Sequence, residues 1–273
     1  MTIDKNTKIY LRHTEIVKIK KGDVVIWEKS SGPEPTMDCF YIENISSDTG
    51  DFKFVKLKSP SNKPSMEYSI DGGSTWTGYN FSTLPTVEVS SGSKIYFRGN
   101  SFSNEIYSDT RGYKFDFNKS YNIGGNLMSI SDFDTMNTID TISESKFAAI
   151  FNGQTNLVSV SDLSLGNVTT INVGGFSQVF GSCSNLINGV DLSKIVNITT
   201  DSFLSLYALC KKLETVTAPN VQTWNTSCFS SWLFIAGVSG TKTAYVPAGV
   251  VIPESSNGVP NGWTRVEYST NQV

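Results

Sequence analysis

The sequence predicts a mainly β chain: an antiparallel β-sandwich, then a short solenoid of stacked repeats, with a small β module at the N-terminus. Three observations carry this. Short runs of Phe, Tyr, Val and Ile recur between turn signals from residue 38 to 123. Phenylalanines recur at spacings of 29, 27 and 26 residues across 124–245. Alternating apolar residues before residue 28 are set off by the stretch Lys29-Ser-Ser-Gly-Pro-Glu-Pro-Thr36.

In the first module, Ile9 and Leu11, then Ile16, Val17 and Ile19, then Val24 to Trp27 after the turn Lys21-Gly22-Asp23, alternate as strands do. A segment this short cannot bury enough surface to stand alone. Residues 1–31 therefore read as a docking module whose face is Tyr10, Leu11, Ile16, Ile19, Ile26 and Trp27, and 32–37 as its linker.

The sandwich is expected over 38–123, with strands at Phe52–Leu57, Met66–Ile70, Val87–Val89, Ile95–Arg98 and Tyr113–Phe117. Ser69-Ile-Asp-Gly-Gly-Ser-Thr-Trp76 matches the S-x-D-x-G-x-T-W pattern called an Asp box, a hairpin motif of sialidase propellers. It implies a tight hairpin in which Asp71 caps turn amides, the glycines take positive φ and Trp76 packs beneath.

Over 124–245 the leading rings are Phe147, Phe176, Phe203 and Phe229. Four residues after each stands Phe151, Phe180, Tyr207 or Leu233, and Leu157, Leu186 and Leu213 follow the first three leading rings. Asn156-Leu157 recurs as Asn185-Leu186 and becomes Lys212-Leu213. Each unit reads as a short helical or irregular turn followed by a strand, and a single unit cannot cover its own apolar face, so the units stack. Residues 246–273, with Trp263, are expected to cap the last rung. Cys183 and Cys210 fall at the same phase on adjacent rungs, within reach of a disulfide or packed as buried thiols.

Composition narrows function. Charged residues are only 17%, whereas Ser, Thr and Asn supply 85 of 273 residues, so the surface is polar and nearly uncharged. A net charge of −3 gives no basic field for phosphates, and nucleic acid is not an expected partner. The single histidine, His13, leaves no His-ligated zinc site and no base for a hydrolytic triad. The four cysteines show no C-x-x-C spacing. The longest apolar run, Trp232 to Val238, falls far short of the ~20 residues of a membrane helix, and the N-terminus shows no signal-peptide core, so a soluble chain without membrane insertion is expected. The pairs Asp132/Asp134 and Asp48/Asp51 read as loop residues, no catalytic residue is assigned, and no cofactor or metal is expected.

Phe-Ser-Gln-Val-Phe-Gly-Ser-Cys-Ser-Asn-Leu-Ile (176–187), running into Val-Asp-Leu-Ser (190–193), resembles the F-x-x-x-F-x-x-C-x-x-L core of BspA-type leucine-rich repeats. The third repeat departs from it at Lys212 and the first lacks the Cys. Tyr68–Trp76, Ile95–Gly99, Gly125–Ser129, Asn257–Thr264 and the opening Lys20–Trp27 are similar to an architecture of gut bacteria and their tailed phages. The resemblance implies a leucine-rich-repeat solenoid in a non-enzymatic surface protein of a tailed-phage virion: a head or tail fibre, spike or decoration subunit, made in the host cytoplasm. The implied partners are other virion proteins through the N-terminal module, host-surface glycan or protein, and further copies of the chain, a trimer being favoured. A bacterial cell-surface adhesin or glycan-binding module is the alternative. Trp224, Trp232 and Tyr245, near the end of the stack, are the candidate glycan contacts, with end-capping as the competing role.

Overall fold

The computed structural model describes residues 38–269, except 59, 61–62, 105–111 and 238–239, together with four strands between residues 9 and 28. Met1–Thr36 and Met37–Val273 are separate units. In the first, β1 (Ile9–Leu11) pairs antiparallel with β2 (Thr14–Ile16), and β3 (Lys18–Lys21) with β4 (Val24–Glu28). Ile9 stands opposite Ile16 and Ile19 opposite Trp27. Two short antiparallel strand pairs thus lie within the span read as the N-terminal module. The linker 32–37, His13 and the side chains of Tyr10, Leu11, Ile16, Ile19, Ile26 and Trp27 lie outside the described residues.

The second unit is mainly β and contains several sheets. Its first part has β5 (Phe40–Asn44), β6 (Gly50–Lys56), β7 (Ser65–Ser69), β8 (Thr77–Gly78), β9 (Val87–Val89), β10 (Lys94–Asn100), β11 (Tyr113–Phe117) and β12 (Tyr121–Asn126). β12, β5, β10, β7 and β8 are consecutive antiparallel neighbours in one sheet, and β11, β6 and β9 form another. Alternation buries Phe40 and Ile42, Phe52 and Phe54, Ile95 and Phe97, and Phe115 and Phe117. The rings meet between the two sheets, Phe52 against Phe97 at 4.9 Å and Phe40 against Phe115 at 5.2 Å.

β12 is the pivot. One edge pairs antiparallel with β5, the other pairs parallel with β14 (Leu157–Ser164). β16 (Asn188–Asp191), β18 (Thr215–Thr217), β19 (Thr243–Pro247) and β20 (Thr264–Tyr268) then follow in parallel and complete a ten-stranded sheet. A narrower parallel ladder runs through β13 (Thr141–Ile142), β15 (Thr170–Ile171) and β17 (Asn197–Ile198). Its partners Thr141, Thr170 and Asn197 repeat the offsets of Phe147, Phe176 and Phe203. The boundaries at 123/124 and 245/246 do not separate compact bodies: one core joins Phe40 to Trp263, and β19 and β20 prolong the same sheet.

Among the described residues the only helical piece is the 3-10 turn Leu127–Ile130, so the segments carrying the paired rings are irregular rather than helical. Their order is nonetheless strict. Ala148, Ile150 and Asn152 donate back to the carbonyls of Ser145, Phe147 and Ala149, closing a chain of overlapping turns. The intervening amides of Phe147, Ala149, Phe151 and Gly153 instead donate to the next unit, at Gly175, Ser177, Val179 and Gly181. An α-helix would use those amides internally, removing the backbone hydrogen bonds between units on this side. The alternation needs a left-handed residue every fourth position: Ser145 (φ 57°), Ala149 (56°) and Gly153 (74°), then Gly174 (60°), Gln178 (54°) and Ser182 (62°), then Asp201 (58°), Ser205 (52°) and Leu209 (65°). Each non-glycine member costs about 1–2 kcal/mol, a cost offset by the bonds between units.

These turns hold the rings in register. Phe151 and Phe180 stack at 5.8 Å and 6° between planes, and Phe180 and Tyr207 at 5.7 Å and 7°. All four cysteines are free and buried, which settles the alternatives for Cys183 and Cys210 in favour of thiols. Each thiol donates across units, Cys183 to the carbonyl of Phe151 (3.1 Å) and Cys210 to that of Phe180 (2.9 Å). Gln154 holds the equivalent place in the first unit, and its Oε1 accepts from the amide of Phe117 in β11 (3.5 Å). The recurrent Asn has a similar duty: Asn156 Nδ2 donates to the Phe117 carbonyl (3.2 Å) and Asn185 Nδ2 to that of Thr155 (2.7 Å).

Truncating Phe180 to Ala removes ring contacts on both sides and is expected to cost about 3–5 kcal/mol, against under about 0.5 kcal/mol for exposed Lys211→Ala. Equal, small shifts in denaturant melts of the two variants would refute the shared column. Burial pushes the Cys183 thiol up to about 12 and that of Cys210 well above its ordinary value. Both are therefore expected to resist iodoacetamide at pH 8 in the folded chain and to react once it unfolds, as read by mass spectrometry.

Candidate binding face

The ten-stranded sheet buries one face of β5, β10 and β7 and turns the other outward. On the outward face Tyr41 of β5 and Tyr96 of β10 are directly paired, ring centres 5.7 Å apart, and both are half-buried. Lys94 Nζ lies 4.0 Å from the centre of the Tyr41 ring. The Tyr41 hydroxyl donates to Asp162 Oδ2 of β14 at 3.3 Å. Burial, with the carboxylates of Asp162 and Glu43 nearby, raises its pKa and keeps it a donor. The neighbouring strand must be bare to admit that ring: a Cβ on Gly124 would sit 2.3 Å from the Tyr41 hydroxyl oxygen.

One strand further, Arg98 of β10 pairs with Glu67 of β7, Nε to Oε2 at 2.7 Å. Its guanidinium lies 4.3 Å from the Trp76 ring centre and 5.6 Å from that of Phe133. Beside it opens a groove of about 650 Å³, lined among others by Ser65, Glu67, Arg98, Asn100, Phe133 and Asp134. One wall is the β7–β8 hairpin. There Thr75 donates twice to Asp71, from its amide to Oδ1 (2.9 Å) and from its hydroxyl to Oδ2 (2.6 Å), and Ser69 Oγ donates to Oδ1 (2.7 Å). Gly72 and Gly73 take φ of 73° and 88°, as a turn this tight requires. Trp76 is half-buried and its indole N–H donates to the Gly73 carbonyl at 3.1 Å.

The three aromatic residues expected from sequence do not form one platform. Trp232 is fully buried and donates to the Gly258 carbonyl. Trp224 is buried against Phe229, ring centres 3.7 Å apart, and donates to the Asn257 carbonyl at 2.8 Å. Both cover the last ring pair with their polar edges satisfied, which is the end-capping role. Tyr245 alone is exposed, on β19. Three of the four paired carboxylates have nearby partners: Asp48 meets Lys119 at 3.1 Å, Asp51, which lies in β6 and not in the loop expected of it, accepts from Asn118 at 2.9 Å, and Asp132 accepts from the Thr135 amide at 3.4 Å. Among the described residues no three His, Cys, Asp or Glu side chains gather as a metal site.

Tyr41, Lys94, Tyr96, Arg98 and Phe133 were not singled out by sequence, because they come from three separated segments and form no motif. The one signal available was alternation: Tyr41-x-Glu43 and Lys94-x-Tyr96-x-Arg98 place aromatic and charged residues on the face opposite the buried rings.

Hydrogen bonds, first of all from the Thr75 hydroxyl and amide, lower the Asp71 carboxyl to about 2 from the ordinary 3.8. Its contribution to the hairpin is complete above the ordinary value and is lost as pH falls through about 2. NMR titration is expected to give a midpoint near 2 that rises in Thr75→Ala; a midpoint at 3.8 in the unaltered chain would contradict the capping geometry.

Comparison with protein-family models, with curated proteins and with solved structures finds no match for this chain.

Proposed function

We propose that this chain is a non-enzymatic surface protein of a tailed-phage virion, a fibre, spike or decoration subunit, that adheres to host-surface glycan or protein. In this reading the two antiparallel sheets are a β-sandwich. The parallel units of rings, turns and strands are a short BspA-type leucine-rich-repeat solenoid built onto it, capped by Trp224, Trp232 and Trp263. The N-terminal module docks the chain to other virion proteins, and copies associate, a trimer being the favoured assembly.

The observation that supports this most is the division of labour between the two units. The described residues of Met1–Thr36 are two antiparallel pairs of strands of three to five residues each, too short to be stable alone in water. Met37–Val273 has one continuous core. A small dependent module joined in sequence to a self-sufficient body is what an attachment segment and a displayed body require. The outward rings and charges beside the Asp-box hairpin give the body a surface suited to recognition rather than a closed catalytic pocket.

Deleting residues 1–31 is expected to leave a folded protein, with an unchanged melting temperature, that no longer incorporates into particles when supplied in trans, while still holding host cells. Normal incorporation of the truncated chain would overturn the docking role. Turnover of a host polysaccharide that is lost on substituting an Asp or Glu would overturn the non-enzymatic reading. Fractionation of the chain with the cell wall in cells carrying no phage would favour the bacterial adhesin instead.

A further inference from the structure

The groove beside the Asp-box hairpin has features that the adhesive reading does not by itself require. We infer that it is a saccharide subsite for one or two neutral sugar units of a host-surface glycan, an inference that rests on the adhesive function proposed above. Its volume, about 650 Å³, lies within the about 300–1,000 Å³ typical of small-ligand sites. Its polar groups suit hydroxyls: Glu67 and Asp134 supply carboxylate acceptors, and Asn100 supplies both a donor and an acceptor. Phe133, half-buried, gives an apolar wall against which the C–H face of a sugar ring can pack.

Charge selects the class of sugar. Among the described lining residues the one cation is Arg98, whose Nε is held by Glu67 at 2.7 Å and whose guanidinium lies against two rings, so its charge is compensated before an anion arrives. A sialic or uronic acid would instead meet the carboxylate of Asp134, an exposed side chain of the lining. Neutral hexoses and N-acetylhexosamines carry no such penalty.

The walls are set before a ligand arrives. The hairpin is closed by the Asp71 network and by pairing of β7 with β8, and Arg98 ties β10 to β7. The floor is kept bare. A Cβ on Gly99 would lie 2.6 Å from the Ser65 carbonyl oxygen, whereas the space over Gly78 has no atom within 4 Å. A preformed site loses less ordering entropy on binding.

The test uses the full chain on an array of neutral oligosaccharides (lactose, chitobiose, maltose, mannobiose) beside sialyllactose and a uronic acid disaccharide. Titration calorimetry follows on any neutral probe bound. Asp134→Asn, on an exposed side chain, and Phe133→Ala are each expected to weaken a neutral probe by about tenfold or more, while Glu254→Gln, on the C-terminal segment, leaves it unchanged. Thermal melts keep any loss of fold apart from loss of binding. Neutral binding unaltered in both groove variants, or preference for the acidic probes, overturns the subsite and leaves adhesion standing. So does failure to bind any sugar by a chain that still holds host cells. A chain that binds neither sugars nor cells overturns the adhesive reading together with the subsite.

Discussion

A column of aromatic rings is the constraint on which the second unit depends. Phe115 of the antiparallel part lies 5.2 Å from Phe151, which stacks on Phe180, which stacks on Tyr207, which meets Trp232 at 6.3 Å. Each ring is covered in part by its neighbours in the column, and each such contact adds about 0.5–1.5 kcal/mol beyond the area it buries. Because the first member belongs to β11, the antiparallel sheets close the near end of the column, and Trp232 with Trp224 closes the far end. The core is therefore continuous, and the unit has no internal plane along which it separates.

Holding rings at this spacing imposes a backbone. Parallel strands alone fix one side of each repeat; the ring-bearing side needs its own polar contacts between units, and the overlapping turns supply them through alternate amides. Residues such as Gln178, Ser205 and Leu209 pay for this in left-handed conformations that non-glycine residues otherwise avoid. The cysteine and asparagine positions complete the scheme by satisfying carbonyls of the preceding unit.

Much of this was legible in the chain. Phenylalanine spacing announces the stacking period because a buried ring recurs once per unit, and the Asp box announces its hairpin because the turn needs those residue types locally. The turn conformation was not legible: Phe-x-x-x-Phe suits a helix as well as a turn ribbon, and only contacts between units decide. Nor was the ten-stranded sheet, since β12 pairs with β5 and β14 across wide sequence separations with no local signature. The groove stayed hidden for the same reason, with Glu67, Arg98 and Asp134 brought together by pairing rather than by motif. Trp224 and Trp232 stayed open between two roles because an aromatic residue near the end of a stack reads alike as lid or as platform, and burial alone separates the two.

Native-state hydrogen exchange on the turn amides tests the central claim most directly. The amides of Ala149, Phe151, Gln178, Phe180, Ser205 and Tyr207 donate between units, so they are expected to exchange as slowly as those of β14 and β16, and through the same global opening. Exchange at the rate of ordinary surface turns, or protection falling away unit by unit while the strands stay closed, would contradict a single coupled core.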